Sequence, residues 1–180
     1  MPNKPKPVEV TVDPKTTAVL ILDLNARCEN PEEPCHKLVE PVAKFLARAR
    51  QARMFIVYTA ADRYKGTPEE RMPHAFKQQI DEPVLFPAAF DKFYSGELQP
   101  MLQKRGIKTV VVCGASSNQA VLYTATAAVR PFGYDVIIPV DGIIARGEYE
   151  HEFTLHQFTI LPAGAAEKFK ITEFSRITIT

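Results

Sequence analysis

The chain has 180 residues, with 22 basic and 21 acidic side chains and a formal net charge of +1. That length suits one domain with a sizeable core, the even charge leaves no basic footprint for nucleic acid, and the mixed composition argues against wholesale disorder. No apolar run approaches the roughly 18 residues of a membrane-spanning helix, and no apolar stretch of a secretory signal follows the basic Met1–Pro7 opening, so a cytoplasmic protein without a membrane partner is expected.

Residues 1–15, rich in Pro, Lys and Val, read as an extended N-terminal arm, and residues 16–180 as a single domain. Ala18–Asp23 is a continuous apolar run closed by a carboxylate, the pattern of a parallel strand covered on both faces. Leu38, Val42, Phe45, Leu46 and Ala49 recur at helical spacing and predict a helix from about His36 to Ala52. Met54–Thr59 is a second buried-type strand. From Ala60 to Asp91 the chain is polar and punctuated by Pro, with one helix expected near Glu69–Gln79. Glu97–Arg105 reads as a helix that Gly106 ends. A third strand over Thr109–Cys113, a small-residue helix over Gln119–Val129 and a fourth strand over Tyr134–Val140, closed by Asp141, follow in turn. A helix from Glu148 to Ile160 and a strand near Phe169–Phe174 complete the series. Strands alternating with helices imply a three-layer α/β fold with a mainly parallel sheet and helices on both faces.

In such sheets ligands bind beyond the carboxyl ends of the strands. That rule selects Asp23, the Thr59–Asp62 turn, the Gly114–Asn118 turn and Asp141. A carboxylate after a strand is often only a cap, and a lysine such as Lys92 is often only a solvated one. Lys92, however, stands in Phe90-Asp91-Lys92-Phe93-Tyr94, where apolar flanks predict partial burial and the need for an anionic partner. The turn Gly114-Ala115-Ser116-Ser117-Asn118 opens a helix and offers backbone N–H groups to an anion, but lacks the glycines of a phosphate loop.

The three cysteines are irregularly spaced, and neither a disulfide framework nor a structural metal is expected of them. Cys113 closes an apolar run and reads as a buried small hydrophobe; Cys28 and Cys35 flank a Pro-rich turn. His36, His151 and His156 fall on expected helices and read as surface or packing residues.

Taken together, Ile21-Leu22-Asp23-Leu24-Asn25, Lys92-Phe93-Tyr94-Ser95-Gly96, Gly114 through Val121 running on to Thr124-Ala125, and Gly133-Tyr134-Asp135-Val136 into Pro139-Val140-Asp141-Gly142 resemble the isochorismatase-like cysteine hydrolase family. The resemblance implies a Rossmann-type, six-stranded parallel sheet, homo-oligomers and hydrolysis of small amides or vinyl ethers. It places the family's catalytic Asp on Asp23 and its Lys on Lys92, with a cis peptide near Ala115-Ser116. Amidase members carry a nucleophilic Cys where this chain has Ala120, and alanine cannot attack a carbonyl. Nicotinamidase-like members bind a metal through Asp-x-His; here the segment is Asp62-Arg63-Tyr64, and no metal or other cofactor is expected.

The reading that follows is a small-molecule hydrolase of vinyl-ether or amide type. Asp23 and Lys92 would act without a covalent cysteine intermediate, beside an anion or oxyanion site at Ala115, Ser116, Ser117, Asn118 and Gln119. The alternatives are a non-catalytic member that binds a small ligand or a partner, and an amidase whose Cys has been changed to Ala.

Overall fold

The structure, a computed structural model, describes residues 4–180; Met1 to Asn3 of the expected arm lie outside them. In chain order the regular elements are β1 (Val10–Val12), β2 (Thr17–Leu22), α1 (His36–Gln51), β3 (Phe55–Thr59), β4 (Val84–Leu85), α2 (Leu98–Lys104), β5 (Thr109–Ala115), α3 (Leu122–Val129), β6 (Asp135–Pro139), β7 (Ile143–Ile144), α4 (Glu148–Ile160), β8 (Phe169–Thr172) and β9 (Ile177–Ile179).

The main sheet runs β4-β3-β2-β5-β6-β8, and β7 adds a short rung to the end of β5. Every pairing in it is parallel. The chain therefore starts at the middle, moves outward through β3 and β4, and returns to the other side of β2 as β5. That reversal opens a crevice between the carboxyl ends of β2 and β5, the usual place for a ligand in such sheets.

The continuous apolar runs divide by alternation between two cores. Ala18, Leu20 and Leu22 of β2 pack with Val110 and Val112 of β5 in one core, to which Ala120, Ala125 and Ala128 also contribute. Val19 and Ile21 pack with Val111 and Cys113 in the other, against Leu38, Val42, Phe45 and Leu46 of α1. A strand sends successive side chains to opposite faces, so a strand covered on both sides reads as unbroken hydrophobicity. Cys113 and Ala120 consequently lie on opposite sides of the sheet.

At Leu22 and Gly114 the two central strands are register partners. A Cβ on Gly114, whose φ is +149°, would collide with the Leu22 carbonyl oxygen. Only glycine permits this approach directly beneath the crevice.

Four differences from the expected elements have physical causes. Residues 69–79 form no α-helix but two short 3₁₀ turns, Pro68–Glu70 and His74–Phe76; Pro73 has no N–H and disfavours helical backbone at Met72. The Gln119 helix begins as a π-helical turn, Ser117–Val121, and becomes α-helical at Leu122. Within the arm, Val10–Val12 pairs with β9 as a separate two-stranded parallel sheet, and the Val8 carbonyl accepts from Thr172 Oγ1 at 2.6 Å. Finally, Cys28 and Cys35, read as unpaired, form a disulfide with Cα atoms 5.2 Å apart, because Pro31, Pro34 and the 3₁₀ turn Ala26–Glu29 fold the intervening loop back on itself. Among the described residues no helix is long and apolar enough to cross a membrane.

Candidate active site

Asp23 is the first residue after β2. Its N–H still donates to Thr59 O at 2.9 Å, extending the β2–β3 ladder by one rung. There its φ turns to +57°, a left-handed conformation that Asp tolerates better than most residues, and the chain leaves the sheet. One carboxylate oxygen accepts from Thr59 Oγ1 at 3.2 Å, and the other pairs with Lys92 Nζ at 2.8 Å.

Lys92 is 1% exposed, one of the largest fully buried side chains in the molecule. Its neighbour Phe93 packs on Phe132 and Tyr134, with ring centroids 4.7 and 6.1 Å away, and anchors the loop in the core. The Lys92 N–H donates to Thr124 Oγ1 on α3 at 3.1 Å, and Thr124 Oγ1 donates to Phe90 O at 3.2 Å. The ammonium also donates to Ala89 O at 3.2 Å. A buried ammonium is tolerable only with such compensation. The Asp23 carboxylate is 16% exposed and opens onto the crevice.

The crevice is a cavity of about 740 Å³. It brings together most residues that the sequence singled out: Asp23, Lys92, Ala115, Ser116, Asn118, Gln119 and Ala120 all line it. Ser117 does not; its side chain is fully buried, with a hydroxyl that has no hydrogen-bond partner. The Ala115–Ser116 peptide is cis. Ser116 Oγ donates to Asn118 Oδ1 at 2.8 Å. The Gln119 and Val121 amides both turn back to Ser116 O, at 3.1 and 3.3 Å. The Ser117 and Asn118 amides lie too early in the turn to find an acceptor within it, the usual condition of a helix start.

Asp141 stands apart from the cavity and accepts from the Phe174 N–H at 3.0 Å, a structural role. Cys113 is fully buried beneath the opposite face, where burial pushes its thiol well above the ordinary cysteine range. Cys35 does line the cavity, but as half of the disulfide. No free thiol therefore faces the crevice.

The donors for a metal do not converge either. Asp62 turns an oxygen back onto the Arg63 N–H at 2.9 Å, and the next position carries Tyr64 rather than a histidine. His74 is held by Glu29 at 2.8 Å, outside the cavity. Among the described residues no three His, Cys, Asp or Glu side chains are grouped to hold an ion.

Thr59 opens a turn that the sequence selects, but its contact with Asp23 follows only from the Leu22–Thr59 register. Other contributors had not been singled out from the chain. Arg27 braces the wall, bonding Glu33 at 2.7 Å and Asp23 O at 3.3 Å. Arg63 and Tyr64 come from an irregular segment whose only sequence signal is the strand end before it, and Arg146 follows a two-residue strand that carries no signal of its own.

The family model for the isochorismatase domain matches residues 17–166, most of the chain. The chain belongs to the isochorismatase family. This isochorismatase-family chain is similar to the uncharacterized isochorismatase family protein YwoC of Bacillus subtilis, at 26% identity over 81% of this chain and 87% of that one. Among solved structures it resembles an isochorismatase family protein from Burkholderia thailandensis, with a TM-score of 0.79 at 21% identity, covering 94% and 97% of the two chains. The nicotinamidase of Staphylococcus aureus matches with a TM-score of 0.75 at 17% identity, covering 88% and 99%. At such identities the structural likeness carries the fold alone, which is the three-layer α/β sheet described above.

Proposed function

We propose that this isochorismatase-family protein hydrolyses a small molecule of amide or vinyl-ether type with Asp23 as the proton-transferring group and water, not a protein thiol, as the nucleophile. The observation that carries this reading is the Lys92–Asp23 pair at 2.8 Å, set in a cavity where Ala120 and no free cysteine stands at the start of the following turn.

With an amide, Asp23 takes a proton from water as that water attacks the carbonyl. The developing oxyanion is met by the amides that open the Ser117–Val121 turn, and the proton passes to the leaving nitrogen. With a vinyl ether, the carboxylic acid form of the same group delivers a proton to carbon, water adds to the oxocarbenium ion, and the proton that this water sheds returns to Asp23. In either case Lys92 balances the charge on the carboxylate, and Thr59 fixes its orientation. General acid–base groups of this kind contribute about 10²–10⁴ in rate.

The test is a hydrolysis screen of isochorismate and a panel of small amides with the full chain, run beside Asp23→Ala. Turnover lost by at least about 100-fold in a folded variant is the expected result. Undiminished turnover in Asp23→Ala would remove Asp23 from the chemistry. A second reading has Ala120 in its favour: a member that binds its ligand without converting it. It predicts no turnover of any compound, with ligand binding retained.

A further inference from the structure

Eight charged side chains line the cavity, and most of them are spoken for. Asp23 is paired with Lys92 and Glu33 with Arg27. Asp62 turns back onto its own loop, and the Glu150 carboxylate folds over Gly147 at the start of α4, so close that a Cβ on that glycine would meet it. Arg63 and Arg146 remain. Among the described residues neither guanidinium pairs with a carboxylate; Arg63 donates only to Tyr64 Oη at 3.2 Å and lies 4.8 Å from the centre of that ring.

Their positions in the sheet differ. Arg63 follows β3, which lies beside β2 on the Asp23 side. Arg146 lies two residues beyond Ile144, the register partner of Ala115, on the side of the Ser116–Ala120 turn. The two cations therefore flank the reacting centre from opposite sides. The Arg63 loop is also tethered: Arg71 O accepts from the Ala26 N–H at 2.8 Å, and Glu29 holds both Arg71 and His74. A guanidinium offers a planar fork that matches a carboxylate in two parallel hydrogen bonds.

We propose that the substrate of this cavity carries at least one carboxylate, which Arg63 and Arg146 recognise and steer toward Asp23. The proposal rests on the cavity being a substrate site, but not on the hydrolytic step. Neutral compounds of the same shape enter the cavity without using these two cations, so the arginines act as specificity-determining residues.

The experiment is a titration of the ¹⁵N-labelled full chain with benzoate, benzamide and inorganic phosphate, followed by amide chemical shifts. Benzoate is expected to shift the 115–120 amides and to bind at least about ten-fold tighter than benzamide. Arg63→Gln and Arg146→Gln each weaken benzoate and leave benzamide unchanged, and the double variant abolishes the preference. Raised salt narrows it, since both side chains reach solvent. Equal binding of benzoate and benzamide, a preference that survives in the double variant, no binding of either, or phosphate binding as tightly as benzoate would each overturn the proposal. Asp23→Ala, titrated in parallel, separates the two readings. A charge preference without any turnover sinks the hydrolase and keeps the arginine site; Asp23-dependent turnover without a charge preference does the reverse.

Discussion

On the floor of the cavity, Lys92 is 1% exposed and tied to Asp23, Ala89 and Thr124, three groups on three different segments. At its rim, Arg63 and Arg146 are exposed and rest on short loops. The floor is held by strand register, buried hydrogen bonds and an aromatic anchor, none of which tolerates much change. The rim is held by surface ion pairs worth little individually. On the proposed reading, the group that moves protons and the groups that choose the ligand are governed by different physics, so each can be altered separately.

The harshest way to break the floor is to push its strands apart. Gly114→Ala drives a Cβ into the Leu22 carbonyl at a φ that side chains rarely adopt, and about 3–5 kcal/mol of stability should be lost. A thermal melt lowered by about 10 °C or more is expected. An unchanged melt would mean that β2 and β5 do not approach as described.

Lys92→Met removes the ammonium and leaves the Asp23 carboxylate uncompensated. A loss of about 3 kcal/mol is expected, at the low end for a broken buried pair because Asp23 keeps some contact with water. Circular dichroism melts should fall by about 5–10 °C. A variant as stable as the parent would show that the pair contributes nothing to the fold.

How much of this division was legible in the chain follows from the same contrast. The runs Ala18–Asp23 and Thr109–Cys113 announce buried parallel strands because both faces are covered, and the strand-end rule then leads to Asp23 and the turn after Gly114. The aromatic flanks of Lys92 announced its burial. Rim residues carry no such periodicity. The Glu69–Gln79 stretch has helix-forming residues, but Pro73 overrules them, and β4 and β7 are two-residue strands that no pattern can reveal. The Cys28–Cys35 pairing depends on how a Pro-rich loop closes in space. Arg63 and Arg146 meet across a crevice whose strand order cannot be read from a sequence.

Thiol chemistry sharpens the floor further. Without reductant, iodoacetamide should leave both activity and ligand binding unchanged, since Cys113 is buried and Cys28–Cys35 is bonded. Ala120→Cys should become sensitive to the same reagent, because position 120 lines the cavity. Labelling of the parent protein at Cys35 under these conditions would contradict the disulfide.

The smallest effect belongs to the rim tether. Glu29 is held down to about 2 by its hydrogen bond to Arg71 and by the His74 N–H. A depressed carboxyl stabilises the fold fully above its ordinary range near 4–5 and loses that contribution as pH falls toward 2. Glu29→Gln should therefore melt about 1–3 °C below the parent at pH 7, with the gap closing between about pH 5 and 2. A gap independent of pH would assign the difference to packing instead.

The most direct measurement is intact-protein mass spectrometry of the full chain acid-quenched during turnover of whichever substrate the screen identifies. A chain of unmodified mass at every time point, with turnover that depends on Asp23, is the expected result. An acyl-sized increment that accumulates and decays with turnover would contradict hydrolysis by direct attack of water.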